Sequence, residues 1–157
     1  MRKRVMSPDA DDTPSNEHAW LDLEQLAQVE ISSEEQGFPI EGALLVGAKT
    51  GWRAAQPGRQ TIRLRFDQSQ HLHRIRLVFV ETERQRTQEF VLRWSPDSGQ
   101  VYREIVRQQW NFSPPGGTRE VEDYHVDLMG VMLLDMEIVP DISGGGARAS
   151  LAELRLA

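Results

Sequence analysis

Apolar and polar residues alternate with a period of two along most of this chain, the mark of strands with one wet face. In residues 87–112 (TQEFVLRWSPDSGQVYREIVRQQWNF), Phe90, Leu92 and Trp94 alternate with Glu89, Val91 and Arg93. Ser95-Pro96-Asp97-Ser98-Gly99 follows as a turn, in which proline fixes φ and glycine supplies a positive one. Residues 102–112 then lead the chain back. The same period recurs on both sides. Residues 60–66 set Ile62, Leu64 and Phe66 inward against Thr61, Arg63 and Arg65, and residues 72–83 set Ile75, Leu77 and Phe79 inward. Residues 120–128 share a face of Tyr124, Val126 and Leu128, and residues 131–139 oppose Met132, Leu134, Met136 and Ile138 to Asp135 and Glu137. Shorter strands are predicted over 26–33 (Val29, Ile31) and 150–156 (Leu154, Leu156). Breaks fall at residues 67–70, 114–117, 129–130 and 141–147. Seven or eight strands with turn signals between them, and no long helical period, predict an all-β antiparallel sandwich or jelly roll.

Length and composition bound the rest. The 157 residues suit one domain, since domains usually run about 100–150 residues. Residues 1–19 are too polar to bury anything and read as a flexible tail, leaving 20–157 as the β-sandwich domain. The start has no apolar run of the kind a secretory signal needs, and nothing approaches the ~18 apolar residues of a membrane span. The expectation is a soluble cytoplasmic protein, with export lacking a signal peptide left open. No cysteine is present, which excludes disulfides and cysteine-held metals. The net charge of −6 argues against nucleic acid or an anionic membrane as partner.

Several short motifs stand in a suggestive order: Ser32-Ser33-Glu34, Ile40-Glu41-Gly42, Thr50-Gly51-Trp52-Arg53, the strand Gln60-Thr61-Ile62-Arg63-Leu64, the hairpin around residue 97, and Ala149-Ser150-Leu151-Ala152-Glu153-Leu154. From about residue 26 to 156 the chain resembles the discoidin (coagulation-factor type C) domains, galactose-binding-like jelly rolls similar to family 32 carbohydrate-binding modules. The resemblance implies a carbohydrate ligand and a structural Ca²⁺ held by Glu41, Thr50, Glu153 and backbone carbonyls. Calcium takes about six to eight oxygens, carboxylates among them. Here the first acid is Glu rather than Asp, residues 42–49 carry no second carboxylate, and Glu153 also reads as an ordinary surface residue. The disulfide of many secreted relatives is absent.

Strand parity places the candidate site. In an antiparallel array successive connections fall at alternating ends. The long glycine-rich loop 34–58 then shares an end with connections 83–86, 113–118 and 141–148, while turns 67–70, 96–100 and 129–130 share the other. The first end carries Trp52, Arg53, Arg84, Arg86, Asn111, Phe112, Arg119 and Arg148. Arginines and aromatics on loops above a rigid scaffold suit a binding surface, and sugar-binding relatives use this kind of end. Blander readings stand beside this one. Trp52 packs under its loop, since large aromatics mostly supply buried area. Trp94 is core, as is one of Trp110 and Phe112. Arg63, Arg65, Arg74, Arg76 and Arg93 pair across strands with Glu89, Asp127, Asp135 or Glu137, each pair contributing ~0.2–1 kcal/mol.

Signals for chemistry are sparse. His71-x-His73 can put two imidazoles on one strand face, but no third ligand is evident in sequence, so both read as surface histidines. His125, Asp127 and Asp123 read as an ordinary polar face. Residues 144–146 are glycines without the Lys-Ser/Thr of a phosphate loop. No nucleophile elbow or zinc-protease motif occurs, and no carboxylate pair stands out. The expectation is a non-catalytic binding module, monomeric or weakly oligomeric, requiring no cofactor. Its ligand is a carbohydrate or an acidic small ligand, since arginines suit uronate, sulfate or phosphate. The alternative is an intracellular adaptor that docks a protein on the same loop end. A sugar site predicts a concave pocket, and a docking site a flatter apolar patch.

Overall fold

The computed structural model describes residues 20–157, so the tail expected over 1–19 lies outside the described residues. Two one-turn helices interrupt the strands: α1 (Leu23–Leu26), before β1 (Ala27–Ile31), and α2 (Glu41–Leu44), before β2 (Trp52–Pro57). The other strands are β3 (Gln60–Val80), β4 (Arg86–Ser95), β5 (Arg103–Phe112), β6 (Arg119–Val139), β7 (Arg148–Leu151) and β8 (Glu153–Leu156).

β3 and β6 are each 21 residues long and pair antiparallel from Gln60↔Ile138 to Val80↔Arg119. Residues 67–70 and 129–130, expected as turns, are instead a corner inside these two continuous strands. The register slips there, between Arg65 and Arg74, and Gly130 has a φ of 74° that a side chain would resist. Extra or unpaired residues bend and twist a strand pair without ending it.

Before the corner, β3 is flanked by β1, and the partnered half of β6 by β4 and then β5, in the order β1-β3-β6-β4-β5. Beyond the corner β3 pairs with β8 as well, and β2 pairs with β7. The chain doubles back so that the two halves face each other. The Phe79 ring, beyond the corner, stacks on Phe90 of β4 with centroids 5.3 Å apart. Gln88 Nε2 of β4 donates to Glu120 Oε1 at 3.2 Å, although β4 pairs with β6 only along residues 133–139. Ile62, Leu64, Leu77, Phe79, Phe90, Leu92, Phe112, Ile138 and Leu156 close one core between these layers. Each such side chain removed from water contributes about 1.5–3 kcal/mol.

The expected division of loops between two ends is observed. Glu81 N–H donates to Thr118 O (2.8 Å), Ile142 N–H to Thr87 O (2.9 Å) and Gly58 N–H to Ala147 O (3.2 Å), which ties the first set together. At the other end Arg65 Nη1 donates to Ser98 O at 3.4 Å. On the outer face Asp135, expected in a solvated row, is buried and accepts from Arg63 Nε at 2.9 Å. Leu133, which has the same parity as Asp135, is also buried, with the turn at Gly99 lying over it.

A polar chain crosses the layers. Arg86 is buried, donating through Nε to Glu81 Oε1 (2.7 Å) and through Nη1 to Pro140 O (2.7 Å) and Gln88 Oε1 (3.3 Å). Gln88 passes the chain to Glu120, whose second oxygen has no partner among the described residues. Burial, reinforced by Glu122, pushes the Glu120 carboxyl up to about 7, against the pull of Gln88 and Arg86. The folded state therefore holds the proton more tightly than the unfolded chain. Its stabilising effect is complete below the ordinary value of 4.5 and is lost as pH rises through about 7. Between these limits the wild type loses roughly 2–4 kcal/mol from this group. Glu120→Gln is expected to flatten that slope, read as urea unfolding at several pH values. A parallel slope in the variant would assign the loss to other groups.

Candidate functional site

An open cleft of about 880 Å³ lies at the loop end. One wall is the chain from Lys49 to Arg53 with Phe38. The 80–84 connection and residues 146–148 and 150–152 complete the lining. Four cationic side chains line it: Lys49, Arg53, Arg84 and Arg148. Arg53 lies over the Phe38 ring, 4.2 Å from its centroid. Glu35 Oε2 meets Arg53 Nη1 at 3.3 Å, and Glu35 Oε1 meets Arg148 Nη1 at 3.2 Å. These are exposed pairs, worth about 0–1 kcal/mol each, so an anionic ligand competes easily for them. Lys49 and Arg84 make no ion pair among the described residues.

The 81–84 wall is built by Glu81. Its Oε2 accepts the backbone N–H groups of Glu83 (3.0 Å) and Arg84 (3.2 Å), while Oε1 holds Arg86. Burial alone would raise this carboxyl. The hydrogen bonds from Arg86 and the two amides outweigh that and hold it below the usual carboxylate range. Glu81 is thus a fixed anion, unsuited to donating a proton. The facing wall depends on Ser33. Its Oγ donates to Gln60 Oε1 (2.7 Å) and accepts from Ala55 N–H (3.0 Å), and its carbonyl accepts from Trp52 Nε1 (3.0 Å). Ser32 Oγ reaches the same Gln60 oxygen at 2.6 Å. The paired serines thus fasten β1 to β2 and β3.

Of the eight ligand residues expected from sequence, Arg53, Arg84 and Arg148 line the cleft with exposed side chains. Trp52 also borders it, but only 1% of it is exposed; it is a wall packed under its loop. Two assignments are corrected. Arg86 is consumed by Glu81 and the Pro140 carbonyl, with its guanidinium 4.7 Å from the Phe112 ring centre. Phe112 is fully buried beneath it. Asn111 and Arg119 are exposed but do not line the cleft, and Asn111 Oδ1 accepts from Thr87 Oγ1 at 3.1 Å. Phe38, Lys49, Thr82 and Ser150 line it without having been singled out. Phe38 and Lys49 belong to the long 34–58 loop, whose length was the one available signal.

Gly42 sets how closely this loop packs. A Cβ there would lie 2.1 Å from Thr50 Oγ1 and 2.6 Å from the Gly51 carbonyl oxygen. Gly42→Ala is expected to displace the 49–53 wall and cost about 1–3 kcal/mol, seen as a lower melting temperature. An unchanged melt would show that the loop gives way freely.

The calcium site implied by resemblance does not fit the residues present. The carbonyls of Ala43 and Leu45, in the loop that would supply ligands, accept from Arg155 Nη1 (2.9 Å) and Nη2 (3.1 Å). Glu153 Oε1 lies 3.3 Å from Arg155 Nε, and its Oε2 lies 3.9 Å from Arg76 Nε. Thr50 Oγ1 packs where a Cβ of residue 42 would sit, and Glu41 is exposed. A buried guanidinium already neutralises Glu153 and occupies the carbonyls, and a second cation among the same oxygens would be repelled. Added Ca²⁺ is not expected to move the melting temperature. Arg155→Ala, which strands two carbonyls and Glu153, is expected to lose roughly 2–5 kcal/mol. A rise in melting temperature with added Ca²⁺ would restore the metal to this place.

No protein-family model and no curated protein matches the chain. Solved structures do. A pectin-binding carbohydrate-binding module aligns with a TM-score of 0.62 at 17% identity, covering 84% of this chain and 90% of that one. The family 32 module of AlyQ, solved with 4,5-unsaturated mannuronic acid, aligns with a TM-score of 0.63 at 16% identity, covering 89% and 98%. The family 32 module of Clostridium perfringens NanJ, solved with galactose, aligns with a TM-score of 0.60 at 15% identity, covering 87% and 96%. At such identities the likeness shows the fold: a galactose-binding-like jelly roll, the architecture of those modules and of the discoidin-type resemblance.

Proposed function

We propose that the protein is a non-catalytic carbohydrate-binding module that takes an acidic saccharide in the loop-end cleft. The observation that carries this reading is the convergence of Lys49, Arg53, Arg84 and Arg148 on one open concavity beside Phe38. Guanidinium groups bind carboxylates through paired, charge-assisted hydrogen bonds, and half-buried Phe38, with Arg53 over one face of its ring, adds apolar surface beside them. Glu35, bridging Arg53 and Arg148, holds both guanidinium groups in place and yields to a competing uronate. The pectin and mannuronic acid in the names of two structural neighbours support an acidic ligand by analogy of fold. Among the described residues the lining carboxylates are Glu81, which is tied up as above, and Glu83. Protein docking by the same surface is less favoured. Among the described residues Val80 is the one large exposed apolar residue lining the cleft; Val46 and Ile142 are exposed on loops of the same end without lining it, and Val101, Tyr102 and Met129 lie towards the other end.

Calorimetry with oligogalacturonates and alginate oligosaccharides, set against neutral galactosides, tests this. The acidic ligands are expected to bind, and to bind more weakly as salt is raised. Arg84→Ala/Arg148→Ala is expected to lose about tenfold or more in affinity, at ~1.4 kcal/mol per decade. Binding unchanged in that variant would move the site elsewhere on the fold. Silence across acidic and neutral glycans would remove the carbohydrate reading and leave protein docking.

A further inference from the structure

The histidines read as ordinary surface residues acquire a third neighbour once the strands are paired. Leu72 is fully buried, so His71 and His73 on either side of it both point outward at the corner of β3. Leu72 pairs with Leu128 of β6, which brings Asp127 onto the same outer face. His71 Nε2 lies 2.5 Å from Asp127 Oδ1. The two imidazoles lie with centroids 4.0 Å apart and planes 33° from parallel, closer than same-face neighbours on a regular strand, because the register slips on both sides of Leu72. One ligand atom from each of the three residues falls within 4.8 Å of the others.

We propose that His71, His73 and Asp127 form a surface site for a divalent transition-metal ion of the zinc type. Two imidazole nitrogens and one carboxylate oxygen match the donor set that zinc, nickel and copper favour, whereas calcium and magnesium prefer oxygen alone. Tetrahedral bonds of about 2.0–2.1 Å put donor atoms about 3.3 Å apart. The His71–Asp127 contact is shorter than this and would open, and any wider pair would close, through rotation of exposed side chains. The fourth position is open to water. The adjacent cation Arg74 is engaged elsewhere: it donates through Nε to Asp123 Oδ1 at 2.8 Å and lies 4.8 Å from the Trp20 ring centre. The ion would clamp β3 to β6 where their ladder is most irregular. This site lies at the opposite end from the cleft, so it stands independently of the saccharide reading.

The test is calorimetric titration of the full chain, without a polyhistidine tag, with ZnCl₂ and separately with CaCl₂. Co²⁺ serves as a second probe, because its visible absorption reports coordination. One equivalent of Zn²⁺ is expected to bind, with Co²⁺ bands and a higher melting temperature as the ion rises above its Kd. His71→Ala/His73→Ala should abolish all three signals, and Asp127→Asn should weaken binding about tenfold or more. His125→Ala, an outward neighbour outside the cluster, should leave them unchanged. These positions are exposed, so equal melting temperatures in chelator will show that the variants fold. No Zn²⁺ binding, equal binding of Ca²⁺, or binding that survives the double variant would each overturn the proposal.

Discussion

Everything in this molecule depends on the ladder between β3 and β6. It runs from Gln60↔Ile138 to Val80↔Arg119, serves both layers, and supplies the inner strands of each. Two faces of one sandwich are therefore one continuous hydrogen-bonded pair, folded over at residues 67–70 and 129–130. The fold is possible only because the ladder can slip there without ending. It also explains why loops distant in sequence meet. Both extremities of β3 and of β6 return to the same end of the sandwich, and the connections that leave them gather around the cleft.

The 81–84 wall of the cleft is tied to that core by a polar chain, while Trp52 and Leu151 join the other side to it by apolar packing. Glu81 holds two backbone amides of the 81–84 wall with one oxygen and buried Arg86 with the other. Arg86 reaches Gln88, and Gln88 reaches Glu120 across the layers. The wall that carries exposed Arg84 is in this way positioned by half-buried Glu81 and buried Arg86. Buried polar chains of this kind are costly when any member is left unpaired, and that cost favours one arrangement of the wall. The backbone that carries Arg84 is thereby held in place, which lowers the ordering cost of any contact made there.

Much of the fold was legible in sequence, because alternation with period two is imposed directly by the pleat. Phe79, Phe90, Leu92 and Ile138 are buried as their parity requires. The corner was misread as turns, since residues 67–70 and 129–130 carry the polar and glycine signals of a chain reversal, and local composition does not distinguish a bend from a break. Site residues were legible only in part. Arg53, Arg84 and Arg148 follow from which end their loops occupy. Arg86 and Phe112 occupy that end too, but the packing of one layer on the other draws them inside, and parity along a single strand carries no information about that. Phe38 and Lys49 belong to a loop with no period to read. Asp127 was visible only as one of a row of outward acids, because its nearness to the histidines comes from the register of a distant strand.

Arg155 has a consequence of another kind. Where a related fold is expected to recruit an ion, this chain spans the gap between loop and closing strand with its own side chain, to the carbonyls of Ala43 and Leu45. A charge carried by the polypeptide is present at one copy per molecule from synthesis onward and cannot exchange with the medium. Closure of this loop is then a unimolecular event, complete as soon as the last strand docks. This one clamp draws on no ion from its surroundings, and it is as permanent as the gene that encodes it.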